Sequence, residues 1–289
     1  MRIDLYDSLG ASQPFDSQKA YVTSPWFSSM TLAAIRGTIA VYTLVTLLVI
    51  LIWQATVLRD VNGYFSYFTE LTHIGICSYY WTSFTQTFIY ALRQRHSIET
   101  TPEYPLRQWP RFLQLMHIML ESTVVSYPIL VTVVFWALLA SPTVFSTKFN
   151  AWSNLSLHIL NSVWSLFEMI GTNSPAPRWC MLPCMIIILA LYLAVAYITH
   201  ATQGFYPYSF LDPSTSHSLL AGYIVGIGVA ACIVFSLAKT IMWYRAKRTA
   251  RKPSMATIEI RNLHGTQDDP PRLEPDAELG KSEKSESMV

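Results

Sequence analysis

Hydrophobic residues form six long runs along the chain, separated by shorter polar segments. Four runs are almost wholly apolar, and two carry more polar side chains. About 20 mostly apolar residues suffice to cross a bilayer, and backbone groups in lipid must bond within their own segment, as in a helix. The pattern predicts six transmembrane helices, at Thr31–Trp53, Tyr67–Leu92, Leu113–Leu139, Trp152–Gly171, Met181–His200 and Leu219–Tyr244.

The composition also indicates a membrane protein. Of the 289 residues, 52% are hydrophobic and only 13% are charged. Soluble domains carry about 25% charged residues, so the shortage of charge excludes an ordinary soluble domain. We therefore expect an all-α, polytopic membrane protein that has membrane lipids as partners and binds no nucleic acid.

Lysine and arginine are unevenly distributed between the two sets of loops. One set, which includes both termini, holds twelve of them, whereas the other holds only Arg59 and Lys148. Because positive charge is retained in the cytosol, both termini are expected to be cytosolic. Arg36 and Lys239 lie inside spans but near the cytosolic side, where long side chains can reach the interface. The twelve are Arg2, Lys19, Arg93, Arg95, Arg107, Arg111, Arg178, Arg245, Lys247, Arg248, Arg251 and Lys252.

Three regions follow from these patterns. Residues 1–30 form a polar cytosolic tail without the apolar core of a signal peptide, and residues 31–245 form the six-helix membrane domain. Residues 246–289 are rich in Pro, Ser, Lys and Glu, which predicts a disordered cytosolic tail. The expected location is the endoplasmic reticulum or another endomembrane.

Polar side chains follow one face of the fourth predicted span. His158, Asn161, Ser165 and Glu168 are three and four residues apart, so on a helix they form one stripe, which Asn154 extends. An ionisable side chain facing lipid costs at least ~2.5 kcal/mol at the bilayer centre. The stripe is therefore expected to face the interior of the bundle.

The second span supplies a partner for this stripe, which raises the possibility of nucleophilic catalysis. Thr69 and Thr72 share one broad face of that span with His73. A threonine hydroxyl needs a base, and His158 would take its proton while Asn161 orients the histidine or donates to an oxyanion. The residues alone do not choose between the two threonines.

Two other hypotheses compete with catalysis by threonine. In one, His117 and Glu121 lie one turn apart on the third span and bind a metal ion. The further ligands would come from His73, His158, Glu168 or His200. In the other, the protein is a lipid-binding protein or scaffold, and its polar groups only bond helices together, at roughly 0.6 kcal/mol each.

Three short segments resemble a known family. They are Phe68–Gly75 (FTELTHIG), Leu157–Ser162 (LHILNS) and Gly204–Leu211 (GFYPYSFL). Their order and placement resemble those of the androgen-induced protein family of six-span membrane proteins, which is related to the Rolling stone proteins. The resemblance covers roughly residues 33–245 and is closest to fungal members.

The resemblance implies an activity and a site. Characterised members of the family hydrolyse fatty acid esters of hydroxy fatty acids, with an intramembrane threonine nucleophile, a histidine and no cofactor. Matched to this chain, the nucleophile is Thr72, or Thr69 if the match is shifted, and the histidine is His158. Asn161 is then the orienting or oxyanion-binding group. His73 departs from the family pattern, in which an aromatic or aliphatic residue is usual there.

A lipid ester substrate would require an apolar cavity between the helices. We expect Phe68, Trp164 and Phe205 to line part of it. The segment Gly204–Phe210 either anchors the chain at the membrane interface through its tyrosines or covers the mouth of the cavity. Pro128 is expected to bend the third span, because proline lacks a backbone donor and clashes with the preceding turn.

Overall fold

The structure, a computed structural model, describes residues 4–96 and 102–250. Within these residues it is helical and contains no strand. Three π-helical turns, Gln54–Leu58, Phe135–Leu139 and Ser156–Leu160, continue or join α-helices. The α-helices are α1 Leu5–Leu9, α2 Ser29–Trp53, α3 Phe68–His96, α4 Pro105–Gln108, α5 Arg111–Val124, α6 Tyr127–Val134, α7 Lys148–Leu155, α8 Asn161–Gly171, α9 Met181–Gln203 and α10 Pro213–Thr249.

Six helical rods, α2, α3, α5–α6, α7–α8, α9 and α10, form an antiparallel bundle. The end at which α2 begins and α3 finishes is called the near end, and the opposite end is called the far end. The pairing of α2 with α3 shows the antiparallel arrangement. Arg36 bonds to Thr87 near one end, and the Thr43 carbonyl bonds to His73 toward the other.

Four of the rods are long and apolar enough to cross a membrane, at Ser29–Leu58, Arg111–Leu139, Met181–Gln203 and Leu219–Thr249. They match four of the six predicted spans, so the chain is an all-helical, multi-pass membrane protein. The remaining two predicted spans are helical but more polar. In α3, which has 29 residues, Glu70, His73 and Gln86 are buried against neighbouring helices.

The third rod is interrupted where Pro128 predicted a bend. Helix α5 ends at Val124 and α6 begins at Tyr127, with the proline in the first turn of α6. The carbonyl of Pro128 accepts a hydrogen bond of 3.1 Å from the hydroxyl of Ser162. This hydrogen bond joins α6 to α8 just beyond the interruption.

Residues 4–28, called the N-terminal segment below, fold onto the near end of the bundle. Arg111 donates hydrogen bonds of 2.7 Å to the carboxylates of both Asp4 and Asp7. Lys19 pairs with Glu103 at 2.7 Å. The predicted polar tail is thus a packed part of the domain, since it hides its apolar side chains from water. These buried side chains are Leu9, Ala11, Phe15, Tyr21 and Val22.

At the other end of the chain, α10 continues to Thr249, beyond the predicted end of the membrane domain at residue 245. The rest of the predicted disordered tail, residues 251–289, lies outside the described residues.

Candidate functional site

An apolar cavity of about 210 Å³ lies toward the far end, between α6, α9 and α10. An engineered apolar cavity of roughly 150 Å³ holds benzene, so this one has room for part of an acyl chain. Of the lining side chains, only Thr69, Tyr192 and Tyr208 bear a hydroxyl group. The cavity therefore combines a large apolar wall with one small polar patch.

Two hydroxyl groups of the patch have hydrogen-bonding capacity left. The Tyr192 hydroxyl donates to the Ser66 carbonyl at 3.0 Å. The Tyr208 oxygen lies 3.5 Å from Thr69 Oγ1 and accepts the Thr69 backbone N–H at 3.4 Å. Hydroxyl hydrogen bonds are usually about 2.7–2.8 Å long, so these contacts are weak. Thr69 and Tyr208 can therefore bind another polar group.

The predicted lining is correct for one of three residues. Phe68 lines the cavity, as do Tyr208 and Phe210 from the segment Gly204–Phe210. Trp164 is not a lining residue and packs against Tyr42, with ring centroids 6.1 Å apart. Phe205 lines a separate pocket of mixed polarity, so the prediction was wrong for these two aromatic side chains.

The two candidate nucleophiles occupy different environments. Thr69 lines the cavity and is half-buried. Thr72 does not line the cavity, and its buried hydroxyl has no hydrogen-bond partner among the described residues. Only the alternative nucleophile, Thr69, therefore reaches the cavity.

His158 is buried behind a wall of the cavity. Its ring stacks on Phe135, with centroids 3.5 Å apart and planes 6° apart, and Phe135 lines the cavity. Its Nδ1 atom has no partner within the described part of the chain. Since the Thr72 hydroxyl has none either, no hydrogen bond joins Thr72 to His158.

Asn161 contacts a different histidine from the one predicted. Its Oδ1 lies 3.1 Å from Nδ1 of His73, and its Nδ2 donates to the Leu157 carbonyl at 2.9 Å. The other ring nitrogen of His73, Nε2, lies 3.0 Å from the Thr43 carbonyl. These contacts join α2, α3 and α8 through one buried imidazole ring.

The π turn Ser156–Leu160 explains why Asn161 contacts His73 and not His158. A π turn bonds residue i to i+5, so it is wider than an α-helical turn. The predicted stripe assumed an unbroken α-helix. His158 lies within the π turn and faces Phe135, whereas Asn161 follows the turn and faces α3.

The other end of the stripe contacts Arg36, which was expected to extend toward the membrane interface. Ser165 and Glu168 are wholly buried. Glu168 pairs with Arg36, which is also wholly buried inside the bundle and does not extend to its surface. The sequence offered one signal for this pair: a single arginine in the first predicted span and a single glutamate in the fourth, both toward the side predicted to be cytosolic.

The metal site predicted at His117 and Glu121 has no third ligand among the described residues. Among the described residues, no three His, Cys, Asp or Glu side chains come together where they could hold a metal ion. The ring of His117 instead lies against Tyr21 and Tyr79, with centroids 5.4 and 5.6 Å away.

Comparison with protein-family models gives no match, and comparisons with curated proteins and with solved structures give none either. The resemblance to the androgen-induced protein family therefore stays a prediction from the sequence.

Proposed function

We propose that this membrane protein binds one acyl chain of a lipid in the far-end cavity, with a carbonyl or hydroxyl group of the lipid at Thr69 and Tyr208. The observation that carries the proposal is the chemical character of the side chains that line the cavity. The lining is apolar except for the hydroxyl patch, in which two groups bond only weakly to each other. A wholly apolar void would offer no position for the polar part of a lipid, and a polar void would exclude its tail.

The charge pattern supports a placement of the bundle across the bilayer. Arg59 and Lys148 flank the far end, whereas Lys19, Arg107 and Arg111 belong to the near end. We infer that all six rods cross the membrane and that the near end faces the cytosol. The lipid cavity would then open in the half of the bilayer away from the cytosol.

A photoreactive diazirine fatty acid tests the binding proposal. Val134 lines the cavity, and its neighbour Val133 is exposed on the same helix. Val134→Phe should cut labelling of the purified protein several-fold, because the larger ring takes up space needed by the acyl chain. Val133→Phe should label as wild type does.

A second pair of variants probes the opposite wall. Gly228 lines the cavity and Gly226 is exposed, and a Cβ atom at either position meets no atom within 4 Å. Gly228→Leu should therefore lower labelling, and Gly226→Leu should not. Equal labelling of all four variants and wild type, or labels spread over the lipid-facing surface, would refute acyl binding in this cavity.

Hydrolysis of a lipid ester by threonine is a second candidate function. The observation in its favour is that the Thr72 hydroxyl and His158 Nδ1 are both buried and without partners among the described residues. A buried group without a partner costs about 1–3 kcal/mol, and a catalytic role is one reason why a protein keeps such a group. Catalysis would require Phe135 to move, because its ring separates His158 from the cavity.

A fluorophosphonate probe and turnover of a long-chain ester distinguish the two functions. Loss of labelling and turnover in His158→Ala together with Thr72→Ala would support the predicted dyad. Loss in His158→Ala together with Thr69→Ala would support the alternative nucleophile. Normal turnover in all three variants would rule out both dyads, and no turnover by wild type, with acyl binding retained, would leave binding as the function of the cavity.

A further inference from the structure

Two groups of cations at the near end differ in their partners. Those around the N-terminal segment, such as Lys19 and Arg111, pair with carboxylate groups. The other group belongs to α10 and to the segment before α9, and it forms no ion pair with a carboxylate among the described residues. This group is called the unpaired cations and consists of Arg178, Lys239, Arg245, Lys247 and Arg248. The far-end cavity is lined by none of them.

No acidic residue of α9 or α10 can neutralise the unpaired cations. Between Glu168 and the end of α10, the only acidic residue is Asp212, which caps α10 at the far end. Arg178, Lys239 and Arg245 donate instead to backbone carbonyl groups, which carry no net charge. This side of the near end therefore keeps an excess of positive charge, which suits an anion from outside the described residues.

Aromatic side chains place two of the unpaired cations at the level of the membrane interface. The Nζ atom of Lys247 lies 5.2 Å from the centroid of the Trp243 ring, and the Cζ atom of Arg248 lies 4.8 Å from that of Tyr244. All four side chains are exposed. Exposed tryptophan and tyrosine side chains are typical of the headgroup level of a bilayer. Lys247 and Arg248 are therefore in a position to contact lipid phosphate groups.

A groove of about 570 Å³ runs along α10 on the bilayer side of these two cations. Its lining is mostly apolar and includes Val229 and Ile233. The part of α10 that lines it extends from Val225 to Thr240, which is about 22 Å at a rise of 1.5 Å per residue. Half of the hydrocarbon core of a bilayer is about 15 Å thick. The groove is therefore long enough for one acyl chain of a single leaflet.

The near end of the groove leads toward Lys247. Ser236 and Thr240 line the groove there, and Trp243 and Lys247 follow Thr240 at three and seven residues, which places them on the same face of the helix. The hydroxyl groups of Ser236 and Thr240 both donate to carbonyl groups of their own helix at 2.7 Å, so they leave no unpaired donor in the groove. A lipid with its tail in the groove would therefore have its headgroup at Lys247.

We propose that α10 binds an anionic phospholipid, with one acyl chain in this groove and the phosphate group at Lys247 and Arg248. The proposal rests on the inferred orientation of the bundle, in which the near end faces the cytosol. The cytosolic leaflet is the one that carries anionic lipids, and basic side chains beside it attract them. The site is distinct from the far-end cavity, which neither Ser236 nor Thr240 lines.

Photolabelling of the full-length protein in phosphatidylcholine nanodiscs tests the headgroup site. The discs contain a trace of phosphatidylserine with a diazirine in one acyl chain, or of the matching phosphatidylcholine probe. We expect the anionic probe to label residues 229–240 several-fold more strongly than the phosphatidylcholine probe does. Both faces of a nanodisc carry the probe, so the result does not depend on the orientation of the bundle.

A pair of double variants with equal changes in net charge shows which cations act. Lys247→Gln with Arg248→Gln should reduce labelling by the anionic probe to the level of the phosphatidylcholine probe. Arg59→Gln with Lys148→Gln, two exposed positions at the far end, should label as wild type does. Labelling of the far-end cavity by the diazirine fatty acid should stay unchanged in both double variants, so the two binding proposals can fail independently.

A bulky side chain in the groove tests the acyl site. Ser236→Phe should lower labelling by the anionic probe several-fold, because the ring occupies the space of the acyl chain. Ala221→Phe, at an exposed position of α10 that lines neither the groove nor the far-end cavity, should have no effect. Inorganic phosphate, compared with chloride at equal ionic strength, should not displace the probe, because it cannot fill the groove.

Four results would each overturn the proposal. They are equal labelling of wild type by the two probes, full anionic labelling after the loss of Lys247 and Arg248, undiminished labelling of Ser236→Phe, and displacement of the probe by inorganic phosphate. The last result would show a site for free phosphate in place of a lipid.

Discussion

Arg36 of α2 and Glu168 of α8 form an ion pair in which both side chains are completely removed from solvent. Arg36 also donates to the Tyr21 carbonyl and, at 2.6 Å, to the Thr87 hydroxyl. One guanidinium group therefore connects the N-terminal segment, α2, α3 and α8. The pair therefore joins distant segments at the near end of the bundle, as a disulfide bond does in a secreted domain.

Replacing one partner of this pair should be severe. Arg36→Met leaves an unpaired buried carboxylate, and we expect a loss of about 3–5 kcal/mol in the free energy of unfolding. Thermal unfolding in detergent measures it, with Lys148→Met, an exposed residue at the far end, as the control. Adding Glu168→Leu should recover much of the loss, because it removes the unpaired charge. A double variant as unstable as Arg36→Met would show that the pair is not the cause.

The contact between His73 and Asn161 should appear as an energetic coupling. A double-mutant cycle with His73→Ala and Asn161→Ala should give about 0.6–1.7 kcal/mol, the range for side-chain hydrogen bonds inside membrane proteins. The same cycle with His158→Ala and Asn161→Ala should give a coupling near zero, because Asn161 bonds to His73 and not to His158. The opposite ranking would restore the predicted pairing of Asn161 with His158.

Phe135 should shield His158 from reagents that enter the cavity. Phe135→Ala removes the stacked ring, so modification of His158 by diethylpyrocarbonate should become several-fold faster. Peptide mapping by mass spectrometry gives the rate for each histidine. The matched control is Leu138→Ala in the same π turn, since Leu138 is exposed and does not line the cavity. Equal rates in wild type and Phe135→Ala would mean that the ring is no barrier.

The attachment of α1 should weaken in acid. The hydrogen bond from Arg111 lowers the pKa of Asp4 below its usual 3.8. A carboxyl group with a lowered pKa in the folded state stabilises above its unfolded pKa, and that contribution is lost as the pH falls through the folded pKa. The protection factors of residues 5–11, which correct for the intrinsic pH dependence of amide exchange, should therefore fall progressively below about pH 4, where the detached state takes up a proton, and reach their minimum below the lowered pKa of Asp4.

Asp4→Asn serves as the control for this acid effect. The protection factors of residues 5–11 in this variant should be lower at neutral pH than in wild type and should change less on acidification. Identical pH profiles for wild type and Asp4→Asn would show that another group controls the attachment.

The sequence pattern predicted the helices well because lipid imposes a strict length and composition on a span. Four spans and the interruption at Pro128 follow from apolar runs and proline geometry alone. The N-terminal segment was taken for a tail because its apolar side chains, such as Phe15 and Val22, are scattered among polar ones. Their burial depends on residues about 100 positions away in the chain, since Arg107 donates to the Phe15 carbonyl and Arg111 to Asp4 and Asp7.

The candidate site was harder to predict, because it depends on helix phase. A single π turn at Ser156–Leu160 decides which histidine meets Asn161, and no residue type in LHILN marks such a turn. The hydroxyl patch has a similar origin. Tyr208 reaches Thr69 only because residues 208–211 fold back over the cavity, and the sequence between α9 and α10 does not dictate that path.

The anchorage of the N-terminal segment also constrains the order of events during biosynthesis. The carbonyl groups of Asp7 and Ser8 accept hydrogen bonds from Arg178, which is translated about 170 residues after them. These residues can therefore dock only after the four rods from α2 to α7–α8 have been synthesised. Docking of this segment is thus a late step of assembly, and it requires that the preceding helices have already packed together.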